Sequence, residues 1–442
     1  MQKQEKLMRQ VVTAVLLSFF VVFGATAENL RSMPPQKAGF SNERLERLNE
    51  IAKQYISSGK LPNVITMVNR GGRMVHFNVA GQHGTEDATP IKADDLYRIY
   101  SMTKPISSVA AMQLYEQGGF RLTDPVSKFV PELAELKYRD ENGELVDAAP
   151  ITMHQLLTHT AGFSYGFDPN DEIDQQYQQA NLWSSKDLTE FAERLATLPL
   201  KYKPGSQWHY SVAVDITGLV VERISGERFD QYLKNHIFEP LGMKDTFFEV
   251  PSDQLHRLVD NHVFDHKTMK PQAFGKETFK QGVLGIQEAD GAMINFEKVR
   301  LYSGGGGLVS TAMDYMKFGE MLRAGGRLGK ARILSPKTIK FMTKNHLPAT
   351  ISASGTGEDP TSRRPHSFGF GLGFSVNMDP VASESLSSKG AYGWGGAAGT
   401  IFWVDPEEDL VVVGFMQMML SPWAFREEIK TATYQALTES YE

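Results

Sequence analysis

Ser101-Met102-Thr103-Lys104 sets a hydroxyl and an amine three residues apart. On a helix the two share one face. A lysine kept neutral there can take the serine proton. Ser101 to Gln117 reads as a helix that Ser101 opens and Gly118-Gly119 ends, with Ile106, Val109, Ala110 and Leu114 as its buried stripe. Pro105 falls in the first turn, where proline is tolerated. Burial disfavours an ammonium and lowers the lysine pKa. Free N–H groups at a helix start favour a developing negative charge. The tetrapeptide alone fits equally well a capping serine followed by a surface lysine. A second copy, Ser57-Ser58-Gly59-Lys60, ends the first helix. There the glycine breaks the geometry, and the lysine is expected to be solvated.

A rival serine stands in Gly162-Phe163-Ser164-Tyr165-Gly166, which fits the Gly-x-Ser-x-Gly pattern of a nucleophile elbow. An elbow needs a buried strand before the serine and a helix after it. The residues before Ser164, from Ile151 to Ala161, have helical spacing at Met153, Leu156 and Leu157, and Gly166 leads into a loop. Neither flank fits, so Ser164 is expected to sit in a glycine-rich loop behind a helix.

The elements that must position Ser101 come from both ends of the chain. Asn42 to Ser57 is helical in pattern, with Ser41 as its cap. Val64 to Val68 and Met74 to Ala80 read as a hairpin turned at Arg70-Gly71-Gly72. Strand character returns at Phe368 to Val376, Ala391 to Gly395, Thr400 to Val404 and Leu410 to Met416. A helix from Pro422 to Leu437 closes the chain. The middle is mostly helical. This order predicts an α/β (α+β) fold: an antiparallel sheet flanked by helices, with a mostly helical inserted domain. The expected boundaries are a signal peptide at 1–27, a discontinuous sheet domain at 28–122 and 300–442, and a helical domain at 123–299.

The first residues read as an export signal. Lys3, Lys6 and Arg9 precede the uncharged apolar run Val11 to Phe23, and Ala25-Thr26-Ala27 is a small-x-small cleavage site. The run is too short to span a bilayer, so no stable membrane anchor is expected after cleavage, and the destination is periplasmic or secreted. The chain of 442 residues carries a net charge of −6. Removing the leader makes it more negative, which argues against a nucleic-acid partner. The absence of cysteine excludes disulfides and thiol nucleophiles.

Several segments then match one family in order. They are SMTKPISSVAAMQL from Ser101, LTDPVSKFVPEL from Leu122, LLTHTAGFSYGF from Leu156, PGSQWHYSVAVDITGLVVE from Pro204, GGGGLVSTAMDYMKF from Gly304 and GWGGAAGTIFWVDP from Gly393. Together they resemble the serine β-lactamase and penicillin-binding-protein superfamily, on its class C-like branch. They are most similar to the family VIII carboxylesterases with a β-lactamase/DD-peptidase-like fold. The resemblance implies Ser101 as the acylating serine, Lys104 as its base and Tyr210 as a proton relay. It implies an oxyanion hole from the N–H groups of Ser101 and Ala397. It implies substrate contacts at Trp394, Gly395, Gly396 and Val212. A phenol near a lysine ammonium is expected to ionise more readily, and glycines at 395 and 396 to let a substrate backbone approach.

Two departures shape the expected substrate. Val212 stands where the family has an amide-bearing asparagine, and Trp394 where many members have a lysine that draws a carboxylate. Both changes suit a small-molecule ester over a penicillin or a peptide terminus. The alternatives are a class C-like β-lactamase, a D-Ala-D-Ala carboxypeptidase, an acyltransferase, or a non-catalytic penicillin-binding-like module. No cofactor motif is present. His154 and His159 lack a zinc frame, so no metal is expected. His159 is expected to tie down its loop, Gly304 to Gly307 to form a turn beside the sheet, and His209 is given no role.

Overall fold

The computed structural model describes residues 30–274, 296–353 and 367–441. The expected leader at 1–27 lies outside the described residues. After a helical turn at Asn42–Leu45, capped by Ser41 Oγ accepting the Arg44 N–H, α1 runs over Arg47–Ser57. β1 (Asn63–Arg70) and β2 (Arg73–Gly81) form the expected hairpin. α2 spans Thr103–Glu116, α3 Met153–Leu157, α4 Leu188–Leu195, α5 Ala213–Ser225 and α6 Ala312–Arg323. β3 (Phe368–Phe370), β4 (Ser375–Asn377), β5 (Tyr392–Gly395), β6 (Ile401–Asp405) and β7 (Leu410–Phe415) precede the closing α7 (Phe425–Gln435).

Seven strands form one antiparallel sheet in the order β3-β4-β5-β6-β7-β1-β2. The sheet's last strand in chain order, β7, therefore lies against its first, β1. Alternation along each strand splits its side chains between two layers. Val64, Val68, Trp403 and Val412 pack with Leu48, Ala52, Phe425 and Ile429 under α1 and α7. Ile65, Met67, Phe402, Val411 and Val413 face Tyr315 and Phe318 of α6 and join the large core that also holds α2 and α5.

Three local expectations need correcting. The first helix is broken at Glu46 and does not run unbroken from Asn42. Phe368 to Val376 is a tight hairpin of two strands, not one. Gly373 turns it in the left-handed region (φ 91°), pressed so close to Ser108 of α2 that a Cβ would collide. Lys60 is half-buried, with Nζ 5.2 Å from the Tyr55 ring centre and 5.8 Å from that of Trp423, so it is not simply solvated.

Candidate active site

Ser101 sits in a 3₁₀ turn, Tyr100–Met102, directly before α2. The α-helix proper therefore begins at Thr103, two residues later than the spacing predicts. Tyr100 ahead of it takes a left-handed backbone (φ 43°), which costs a non-glycine residue on the order of 1–3 kcal/mol. Tyr100 is fixed by its surroundings. Its hydroxyl accepts a hydrogen bond from Asn261 Nδ2 at 2.9 Å, and its ring meets Phe296 edge-on.

α2 is buried on nearly every side, not along one stripe, because it passes between α5 and the sheet side of the core. Lys104 is therefore only 2% exposed. Its Nζ lies 3.2 Å from Ser101 Oγ and donates to the Gly305 carbonyl at 2.6 Å. Desolvation lowers its pKa to about 7, against the opposing pull of the Asp215 carboxylate. The rings of Tyr210 and Tyr165 lie 4.5 and 5.2 Å from the amine and partly replace the lost water.

Tyr210 completes the cluster. Its hydroxyl donates to Ser101 Oγ at 2.6 Å, so three groups 109 or fewer residues apart meet on one oxygen. The ring is wedged against Tyr165 (5.1 Å between centres), His159 (5.2 Å) and Trp394 (5.6 Å). Burial raises the Tyr210 pKa, with hydrogen bonding to Ser101 a smaller opposing effect. The expectation of a phenol that ionises more readily is thus reversed, because desolvation outweighs the hydrogen bonding that favours the ionised form. The Trp394 indole N–H also favours the ionised form, yet it makes no hydrogen bond of good geometry.

Trp394 and Val212 are closed to solvent, so their contacts are with the protein. Trp394 braces Tyr210 and Phe370, and Val212 joins the core before α5. Gly395 ends β5, which pairs with β6. Gly396 makes room for the protein's own backbone: a Cβ there would collide with the Ile99 carbonyl and Thr400 Oγ1. Ala397 packs against the small apolar cluster that contains Tyr100, the first residue of the turn carrying Ser101. Among the described residues, neither the Ser101 nor the Ala397 N–H is used by another group of the protein.

Sequence reasoning missed Asp215 and the purpose of Gly305. Asp215 is fully buried in α5, accepts from Ser303 Oγ at 2.5 Å and from the Gly305 N–H at 3.0 Å, and has a pKa raised by burial. It thereby aims the Gly305 carbonyl at Lys104. A Cβ on Gly305 would lie 2.7 Å from both Asp215 Oδ2 and Tyr165 Oη, so only glycine fits. The signal was visible as an acid inside the apolar run Ala213-Val214-Asp215-Ile216, five residues after Tyr210.

His159, left-handed at φ 55°, ties its loop to the Tyr210 segment by accepting the His209 N–H at 2.8 Å. His154 lies 3.3 Å from His346. Ser164 is buried elsewhere, after α3 and a left-handed Gly162, and donates to Asp174 at 2.5 Å. His209 Nε2 stands 3.4 Å from it.

The β-lactamase family profile matches residues 48–435. Esterase EstB of Burkholderia gladioli is 29% identical over 81% of this chain and 86% of its own length. Lovastatin esterase of Penicillium rubens is 30% identical over 83% of this chain and 91% of its own. The solved structure of EstCE1, a hydrolase with promiscuous acyltransferase activity, superposes with a TM-score of 0.74 at 26% identity, over 89% of this chain and 99% of that one. With this match spanning nearly all of the chain and a lysine–tyrosine pair gathered on Ser101, the protein belongs to the β-lactamase family and is a serine hydrolase of its esterase-like branch.

Proposed function

We propose that the protein hydrolyses carboxylic esters of small molecules through an acyl-enzyme on Ser101. The observation that carries this is the meeting of Lys104 Nζ and Tyr210 Oη on the oxygen of a partly buried serine, with the amine's pKa lowered to about 7. Neutral Lys104 takes the Ser101 proton as the oxygen attacks the ester carbonyl. The Ser101 and Ala397 N–H groups stabilise the oxyanion, each worth about 3 kcal/mol. As the carbonyl re-forms, Tyr210, protonated at neutral pH, gives its proton to the leaving alkoxide and regains one from the Lys104 ammonium. Water then attacks the acyl-enzyme with the same groups moving protons.

The aromatic setting supports an apolar substrate. Tyr165 carries Phe167 stacked on it (5.0 Å, 10°), and Phe167 is 41% exposed. The similarity to EstCE1 supports a second outcome for the same intermediate, transfer of the acyl group to an added alcohol. The leader-like segment at the amino terminus supports a site of action outside the cytoplasm.

The test is one substrate panel on one preparation: p-nitrophenyl acetate and butyrate, nitrocefin, and a peptide ending in D-Ala-D-Ala. Ester turnover that exceeds nitrocefin and peptide turnover, and that vanishes in Ser101→Ala, supports the reading. Faster nitrocefin or peptide turnover would replace it.

A further inference from the structure

Where the β1–β2 turn meets the end of α6, four arginines from three stretches of chain line a cavity of about 390 Å³: Arg31, Arg73, Arg323 and Arg327. The placement is built by the backbone. Residues 31–33 run beside β2, with the Met74 N–H donating to Arg31 O at 3.0 Å and the Met33 N–H donating to Met74 O at 2.8 Å. This fixes Arg31 next to Arg73. Arg323 ends α6, and Arg327 opens the short strand that follows. Gly72 sits in the left-handed region (φ 73°), and a Cβ there would lie 2.8 Å from Arg323 Nη2. The bare turn therefore leaves room for that guanidinium.

The charges do not balance. Arg323 is satisfied by Glu320 at 2.9 Å and by Asp409. Glu320 is the one carboxylate among the residues lining the cavity. Among the described residues, the guanidinium groups of Arg31, Arg73 and Arg327 have no hydrogen-bond or ion-pair partner. In a chain with net charge −6 this is a local excess of positive charge. Arg31 and Arg327 are exposed, so solvent screens their repulsion and the fold tolerates the arrangement. The α6 dipole accounts for cations near its C-terminal end, but Arg31 and Arg73 lie in extended chain and gain nothing from it. Planar guanidinium forks with unused N–H donors match a tetrahedral oxyanion carrying more than one charge.

We propose that this arginine-lined cavity binds a phosphate group, free or carried on an anionic lipid, at a site that shares no residue with the Ser101 cluster. Arg73→Ala/Arg327→Ala is the direct variant. Neither side chain is bonded within the protein, so p-nitrophenyl acetate turnover stays at the wild-type rate and reports an intact fold. Arg31→Gln is a second variant, expected to act in the same direction. Wild type and variants are titrated with sodium phosphate by calorimetry. They are also sedimented with vesicles of phosphatidylcholine with and without phosphatidic acid. Saturable phosphate binding that weakens at least about tenfold in the double variant, and falls with added salt, supports a site for free phosphate. Sedimentation that depends on phosphatidic acid and on the arginines, without phosphate heat, supports a site for the lipid-borne group. No binding of either probe by wild type, or equal binding by wild type and the double variant, overturns the proposal.

Discussion

Ser101 and Ser164 each have a basic and an acidic or phenolic side chain within reach, but only one of them is set up to attack. Ser164 is fully buried. Its hydroxyl donates to Asp174, whose other oxygen is held by Lys201 at 2.7 Å, and it also accepts the Gly166 N–H. The proton points at an acid, not at His209, and every partner is spent on structure. Ser101 is partly open, accepts from Tyr210 and has beside it an amine whose pKa burial lowers to about 7. A nucleophile is thus made by the state of its neighbours. The Gly-x-Ser-x-Gly pattern around Ser164 marks only a tight loop.

That contrast can be broken by substitution. Ser101→Ala should cut kcat for p-nitrophenyl esters by at least about 10⁴-fold, because in the proposed mechanism every covalent step runs through its oxygen. Ser164→Ala should leave kcat within about threefold and instead lower stability by about 1–3 kcal/mol, since Asp174 loses a buried donor. Urea melts and steady-state kinetics on the two variants separate the outcomes. Full activity in the first, or near-total loss in a well-folded second, would invert the comparison.

Next in size, Tyr210→Phe should lower kcat by about 10²–10⁴-fold while labelling of Ser101 by a fluorophosphonate persists at a reduced rate. In the proposed mechanism the phenol serves proton transfer, and the serine remains in place without it.

The pH profile sharpens the same point at smaller scale. In the proposed mechanism the neutral form of Lys104 is the active one, and its pKa is lowered to about 7. kcat/KM should therefore rise with pH along a limb centred near 7 and level off above it. Asp215 pulls that pKa upward, so Asp215→Asn should move the limb to lower pH. It should also reduce kcat by about 10–100-fold, as the Gly305 carbonyl loses its anchor. A limb that stays put would mean that Asp215 holds only the loop.

The smallest expected effect is at the rim. Phe167→Ala should raise KM for p-nitrophenyl butyrate more than for acetate, by a few-fold, with kcat nearly unchanged, as loss of one exposed stacking face predicts. Equal changes for both esters would remove Phe167 from substrate contact.

What the sequence disclosed follows the range of the forces involved. Ser101 and Lys104 are legible because one helical turn joins them. The strands near Val64, Thr400 and Leu410 are legible because alternation and β-branched residues are local signals. Tyr210 was a candidate only through family resemblance, since nothing in its own neighbourhood points to Ser101. Asp215 and Gly305 were missed because their bond spans 90 residues and one partner is a backbone carbonyl's neighbour with no side chain to notice. The hairpin at Phe368 was read as one strand because the contact that forces its turn, Gly373 against Ser108, is likewise distant. The Tyr210 pKa moves against the expected direction because burial is set by the whole core.

The most direct test of the central claim is the site of the covalent intermediate. The protein is mixed with a fluorophosphonate or a slow p-nitrophenyl ester, quenched in acid and mapped by peptide mass spectrometry. A single adduct on Ser101 is expected, absent in Ser101→Ala and unchanged in Ser164→Ala. An adduct on Ser164, or steady ester turnover with Ser101 unmodified throughout, would contradict it.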